Sequence, residues 1–454
     1  MRPTLLLVAA ASAALSCGGG GSAERLPDVV LVVLDTVRAD RMGCYGGSAG
    51  ATPRLDALAA RADRHARCAA ASSWTLPSHA SMFTGLYPLE HGTHGFEVDG
   101  FVDNVHPLHP DHTTLAEELR GVGYETSAFV ANRVYLSPRY GIDQGFDTYE
   151  VMDARAPGVL LRALDHLDAR DPGRPQLLFV NLMDAHRPYD AFPAEELTQL
   201  PPERTPDRLL EALCERVMND GAGAGALGGE VSDLYDRAIT RQDEALGAFF
   251  DALEERGVLD RAVVVVTSDH GEAFGTHGIV EHAKDVYEPL VSVPLIVRAP
   301  GQREGRILEE VASHVDLGGL VARCLPGAAG AALAKSFPRV PGSHPVLSEL
   351  HFARPRDIVK YRALFQHERT ALREGDLKLI LGGDEPELYD LAEDPGELAN
   401  LAEERPGSVR AMTGRIDAFV GAHAYAGERL APRPLSDGHR RSMSELGYGP
   451  DQGR

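Results

Sequence analysis

Four apolar runs share one form: "DVVLVVLD" (28–35), "TSAFVAN" (126–132), "QLLFVNLMD" (176–184) and "AVVVVTSD" (262–269). Their apolar residues are continuous, not alternating, and a polar residue closes each. Such runs predict strands buried on both faces. Helical patterns lie between them. "TPRLDALAARADRHA" (52–66) predicts a helix with Pro53 in its first turn. In "DLYDRAITRQDEALGAFFDALEERG" (233–257), Tyr235, Ala238, Ile239, Leu246, Phe249, Phe250 and Leu253 are mostly three or four apart, and Gly257 ends the pattern. Alternating strands and helices predict an α/β fold with a large, mostly parallel sheet sandwiched by helices. Pro/Gly/Ala-rich stretches at 220–229 and 325–345 predict loops. After about residue 340 the text changes. "ALREGDLKLILGGDEPELYDLAEDPGELANLA" (371–402) predicts short strands with turns and then a helix. We therefore divide the chain into a main domain, 28–340, and a smaller C-terminal α+β subdomain, 341–454.

The chain has 454 residues, 43% of them hydrophobic, which is ample for a large core. Its net charge of −22 argues against a nucleic-acid partner. An anionic substrate would need a local positive site, such as a metal. At the N-terminus Arg2 precedes the apolar run Leu5–Leu15 and then "LSCGGGGS". That run is too short to span a membrane, and 1–17 is expected to be a signal peptide. Cys17, before a flexible spacer (18–27), resembles a bacterial lipoprotein processing site, with Ala14 where Leu is usual. This predicts an exported protein, a periplasmic or cell-envelope lipoprotein of a bacterium, touching the membrane only through a lipid anchor at Cys17. Cys44, Cys68, Cys214 and Cys324 have no metal-site spacing, and one disulfide among them stays open.

In parallel sheets ligands bind outside the carboxyl ends of the strands, so the residues closing the strands are the chemical candidates. Asp35 closes the first; Asp269 and His270 close the "VVVV" run. Two carboxylates and an imidazole at one sheet edge suit a divalent cation. The alternative, that each Asp only caps a turn, is weakened by the "TSDHGE" context. The stretch "SSWTLPSHASMFTG" (72–85) sets four hydroxyls before a predicted helix, with Pro77 in its first turn and Gly85 as its stop. Thr75 is best placed at the helix mouth, where free N–H groups favour an anion. A simple cap from any of the four hydroxyls is the alternative. His186 in "MDAHRPY" and His282 in "VEHAKDVYEPL" follow candidate strands and could serve a developing charge.

These motifs, with "TPRLDALAARA", "DVYEPLVSVPLIVRAPG", "ELYDLAEDPGELANLA" and "SELGYG", resemble the sulfatases of the alkaline phosphatase superfamily over about residues 28–425. The resemblance implies an alkaline-phosphatase-like fold. It implies one divalent cation held by Asp35, Asp269, His270 and the nucleophile. The family's ion is Ca²⁺. Thr36 stands where many sulfatases have a second Asp, and His270 where Asn is common, so Mn²⁺, Mg²⁺ or Zn²⁺ also suit. Where the family motif has Cys or Ser, any residue, Pro, Ser and Arg, this chain has Thr75, Leu76, Pro77, Ser78 and His79. His186 matches the family's leaving-group histidine. His282 stands where many members carry a substrate-binding Lys, and Asn132 about where another Lys would contact the anion; His79 and His282 are expected to steady the anionic oxygens.

Family sulfatases convert Cys or Ser to formylglycine. Threonine has a methyl group on Cβ, so the same oxidation would give a ketone, and Thr75 is expected to act unmodified as a metal-activated nucleophile. Phosphodiesterases and phosphoethanolamine transferases related to the family use such a threonine. The resemblance thus implies a hydrolase of an anionic sulfate or phosphate ester, the substrate a glycan, lipid or small molecule. A phosphoryl transferase working through a threonyl intermediate and a non-catalytic binder of sulfated or phosphorylated glycans are the alternatives.

Overall fold

The computed structural model describes residues 25–48, 50–95, 105–351, 368–431 and 436–445. The signal peptide read at 1–17, Cys17 and residues 446–449 of "SELGYG" lie outside them. The strands are β1 Val29–Leu34, β2 Asp63–His65, β3 Cys68–Ala69, β4 Glu125–Val130, β5 Thr148–Val151, β6 Gln176–Leu182, β7 Val263–Thr267 and β8 Ala273–Phe274. They continue as β9 Val280–Glu281, β10 Leu295–Arg298, β11 Arg306–Leu308, β12 Ala312–Ser313, β13 Val346–Leu350, β14 Arg369–Glu374, β15 Leu377–Leu381 and β16 Glu387–Asp390.

Eight strands form the main sheet in the order β11-β2-β10-β7-β1-β6-β4-β5. Among them β10 alone runs against the rest. The fully buried β1 lies at the centre, with Val32 level with Val180 of β6 and Val266 of β7. All four apolar runs are strands of this sheet. The helix Ala156–Ala169 packs on β4 and β6, and the long helix Gly225–Glu255 packs against that helix. Asp243 on the second accepts the Arg54 and Leu55 N–H groups at 3.0 and 2.8 Å, capping helix α1, Pro53–Ala59. A second, antiparallel sheet, β13-β14-β15-β16, packs with the helix Pro406–His423 around a core of Leu347, Leu372, Leu379, Leu388, Met412, Ile416 and Phe419, which Ala71, Tyr87, Leu89 and Val315 join from earlier in the chain.

Three local expectations are corrected. The 52–66 helix stops at Ala59, because Asp63–His65 is taken up as β2 between β10 and β11, whose partners lie more than two hundred residues away. The Gly-rich stretch at 220–229 is not all loop: the long helix already starts at Gly225. Gly228 packs there so closely that a Cβ would come within 2.9 Å of the Phe274 carbonyl oxygen. Residues 327–336 are helical, as their alanines favour. Cys44, Cys68 and Cys324 are free thiols. No helix among the described residues is long and apolar enough to cross a membrane.

Helix α2, Thr75–Thr84, is buried along its whole length, and Gly85 ends it at φ 68°. Beneath it Phe179 of β6 meets Phe83 edge-on at 5.1 Å and His79 at 5.9 Å between ring centres. Phe179→Ala is expected to cost about 3–5 kcal/mol of stability, read as a lower urea midpoint. Ile307→Ala, on an exposed side chain, should stay within about 0.5 kcal/mol.

Candidate active site

The carboxyl ends of neighbouring parallel strands bring the candidates together. Asp35 follows β1, Asn132 follows β4, His186 follows β6, and Asp269 and His270 follow β7; all are buried. α2 points its first residue, Thr75, into this group. His270 Nε2 lies 3.5 Å from Thr75 Oγ1, 3.5 Å from Asp269 Oδ2 and 3.8 Å from Asp35 Oδ1. Ligand atoms of Asp35, Asp269 and His270 all fall within 4.8 Å of one another. Among the described residues, Asp35 Oδ1 and Asp269 Oδ2 are buried without a hydrogen-bond partner.

Burial pushes both carboxyls up from 3.8 to about 7. At Asp35 the neighbouring Asp269 adds to the rise, while His270, Asn132 and Asn181 oppose it. At Asp269 backbone N–H groups, including those of Thr36 and His270, oppose it. Two buried carboxylates with facing bare oxygens, one imidazole and one hydroxyl form a donor set that fits a divalent cation. The His270 Nδ1 sits 2.9 Å from the Gly271 carbonyl, so a cation held there would meet Nε2.

Thr36, standing where many sulfatases have a second Asp, turns its hydroxyl away. It donates to the Asp35 and Ala185 carbonyls at 2.7 and 3.0 Å. Its φ of 65° is costly for a β-branched residue, about 1–3 kcal/mol. The strain places its N–H 3.2 Å from Asp269 Oδ1, and Tyr235 OH donates to its carbonyl at 2.7 Å.

The remaining candidates divide by position. Asn132 Nδ2 donates to Asp35 Oδ2 at 3.0 Å and lies 3.4 Å from Thr75 Oγ1. Its amide therefore rests on the carboxylate side of the site. His79 lies one turn behind Thr75, its Nδ1 2.8 Å from the Thr75 carbonyl and 3.7 Å from Asp269 Oδ2. Burial lowers its pKa to about 3, so the ring is neutral. The His282 ring lies 4.5 Å from that of His270 and 5.1 Å from that of His186, tilted to both. His186 Nδ1 is 3.0 Å from the Arg187 carbonyl.

Several residues were missed by the sequence reading. Glu272, fully buried within "TSDHGE", sets its carboxylate 3.2 Å from His282 Nδ1. Lys284, two residues past His282, is buried with Nζ 3.3 Å from Glu281, which also pairs with Arg187. Asn181, a polar residue inside β6, receives the Asn132 N–H at 3.0 Å. His314 accepts the Ala71 N–H and bonds the Ser268 carbonyl at 2.9 Å, tying together the segments before α2 and after β7. Signals existed for two: an acid directly after the metal-type motif, and an Asn in an otherwise apolar strand. Lys284 and His314 owe their place to the folded loops.

The family model described as Sulfatase matches residues 27–328. This chain belongs to the sulfatase family. It is 26% identical to the sulfatase YidJ of Escherichia coli (strain K12) over 446 residues, 83% of each chain. It is 23% identical to the N-acetylglucosamine-6-O-sulfatase of Bacteroides thetaiotaomicron, over 83% of this chain and 82% of that one. Among solved structures it shares its fold with the phosphonate monoester hydrolase of Agrobacterium radiobacter: TM-score 0.65, 20% identity, 90% of this chain and 100% of the other. The Escherichia coli and Bacteroides thetaiotaomicron relatives are sulfatases, and the chain is an ester hydrolase of that family.

Because both folded carboxyls stand above 3.8, the metal-free folded protein holds protons between about pH 4 and 7 that the unfolded chain has released. Their contribution to stability is full below about pH 4 and is lost as pH rises through about 7. EDTA-treated protein should therefore melt lower at pH 8 than at pH 5.5. Added Mn²⁺ or Ca²⁺ should restore the midpoint at pH 8, and Asp35→Asn should shrink both effects; differential scanning calorimetry reads all three.

Proposed function

We propose that the protein hydrolyses a sulfate or phosphate ester through Thr75, with Asp35, Asp269, His270 and the Thr75 hydroxyl around one divalent cation. The observation that carries this reading is the Thr75 hydroxyl, 3.5 Å from His270 Nε2 and beside the two bare carboxylate oxygens. A cation bound there supplies positive charge that lowers the pKa of a hydroxyl ligand and offsets an anionic ester.

The chain's own groups do the rest. Thr75 Oγ1 loses its proton to solvent, attacks sulfur or phosphorus, and its new bond forms as the bond to the leaving ester oxygen breaks. His186, with Nδ1 turned to the Arg187 carbonyl, exchanges its proton at Nε2 and gives one to the leaving oxygen. Glu272 holds the His282 ring by Nδ1, and His282 steadies the anionic oxygens. The N–H groups opening α2 add to that stabilisation. Asn132 orients both Asp35 and Thr75. His79, neutral and hydrogen-bonded to the Thr75 carbonyl, holds the helix mouth in place.

Water then attacks the threonyl ester, restoring the Thr75 hydroxyl and releasing the acid. That step is easier at phosphorus than at sulfur, and the likeness to a phosphonate monoester hydrolase supports keeping phosphorus esters beside sulfate. A signal peptide at 1–17 would deliver the enzyme outside the cytoplasm, with Cys17 as its lipid anchor.

The test is a panel of 4-nitrophenyl sulfate, 4-nitrophenyl phosphate, bis(4-nitrophenyl) phosphate and a phosphonate monoester with Ca²⁺, Mg²⁺, Mn²⁺ and Zn²⁺. Thr75→Ala should lower kcat/KM by about 10³-fold or more on the best substrate. Mass spectrometry of the wild-type peptide should find Thr75 unmodified. Wild-type turnover by Thr75→Ala would overturn the nucleophile. Product carried on an acceptor without free inorganic anion would favour a transferase, and binding with no turnover of any substrate would favour a glycan-binding protein.

A further inference from the structure

The loop that carries His282 is strained. His277, Glu281 and Ala283 are non-glycine residues in the left-handed region, at φ 57°, 66° and 60°. L-residues hold that conformation only where their surroundings over-determine it. From the main domain, the Ser73 carbonyl accepts the Ala283 N–H at 2.9 Å. The stronger anchors come from the C-terminal sheet.

Arg369 on β14 is buried and aims its guanidinium at the loop. Its Nε is 3.0 and 3.2 Å from the two oxygens of Asp285, and its Nη2 is 2.7 Å from Glu387 of β16. Glu387 also accepts the Tyr287 hydroxyl at 2.6 Å, and His277 stacks flat on the Tyr287 ring at 3.8 Å. One residue further, Glu288 takes Arg373 of β14 at 3.0 Å and Lys378 of β15 at 2.9 Å. Residues 285–288 are thus gripped by three strands of the second sheet, while His282 and Lys284 lie immediately before the grip.

We infer that the C-terminal sheet is a positioning element of the active site, and that Arg369, through Asp285 and Tyr287, holds the strained 277–288 loop so that His282 faces the substrate. Arg369 is a positioning residue and touches no substrate. Its planar fork reaches Asp285 and Glu387 at once, which a lysine cannot do. Breaking a buried pair leaves its partner charge uncompensated, so the loop responds to loss of either member. The inference rests on the proposed function only for what His282 does; the geometry of the loop stands by itself.

The full chain is tested as Arg369→Ala, Arg369→Lys and Asp285→Asn. Arg415→Ala, which removes an exposed ion pair to Glu374 on the same sheet, serves as control. Amide hydrogen exchange of peptides covering 278–288 should quicken about tenfold or more in the first three and stay unchanged in the control. With whichever of 4-nitrophenyl sulfate, 4-nitrophenyl phosphate, bis(4-nitrophenyl) phosphate and the phosphonate monoester the wild type turns over best, Arg369→Ala should lower kcat about 10- to 100-fold with KM changed much less. Guanidinium ion should restore part of kcat to Arg369→Ala and none to Asp285→Asn. Unchanged exchange together with unchanged kcat in Arg369→Ala and Asp285→Asn would overturn the inference. If Arg369→Ala does not fold, Asp285→Asn carries the same two outcomes. If the wild type turns over none of these four substrates, the hydrolase reading fails, and the exchange experiment still decides whether the sheet holds the loop.

Discussion

The structure depends on one electrostatic constraint: two carboxylates, Asp35 and Asp269, are buried at the ends of adjacent strands with one oxygen of each bare. Burying an uncompensated charge is costly, and two side by side are worse. Around them the chain supplies donors wherever it can. Thr36 and His270 give N–H groups to Asp269, and Asn132 gives its amide to Asp35. The two oxygens left over face the same point as His270 Nε2 and the Thr75 hydroxyl. A site that is incomplete in this manner is matched by a divalent cation, and the strain accepted at Thr36 shows that the arrangement is held against local preference.

The central strands have no conformational choice of this kind. β1, β6 and β7 are hydrophobic on both faces and lock in register, so their ends are rigid. Rigid strand ends fix Asp35, His186 and Asp269 relative to one another. The loop bearing His282 is different. It leaves the sheet, passes through three left-handed residues and is held by ion pairs to another sheet. The candidate site thus combines a half fixed by strand ends, with the donor set Asp35, Asp269 and His270, and a loop-borne half held from the second sheet.

The strand runs and the residues closing them were legible because burial on both faces leaves a continuous apolar signature. The Thr75 helix was legible from Pro77 and Gly85. The β2 strand was not: Asp63–His65 has no apolar pattern, and its pairing with Ile296 and Ile307 flanks comes from chain far downstream. Asn132 was placed near the anion by resemblance, whereas its amide in the fold rests on Asp35. The role of Glu272 is not legible in its motif, since only the return of the 280–288 loop brings His282 to it.

The sequence by itself determined the sheet, the family, and which carboxylates, hydroxyl and imidazoles are available, because these follow from local pattern and motif order. Tertiary structure alone decided which atoms face one another. The bare oxygens, the Glu272–His282 pair, the buried Lys284 and the Arg369 grip on Asp285 all join residues from separate elements, and their distances arise only when those elements pack.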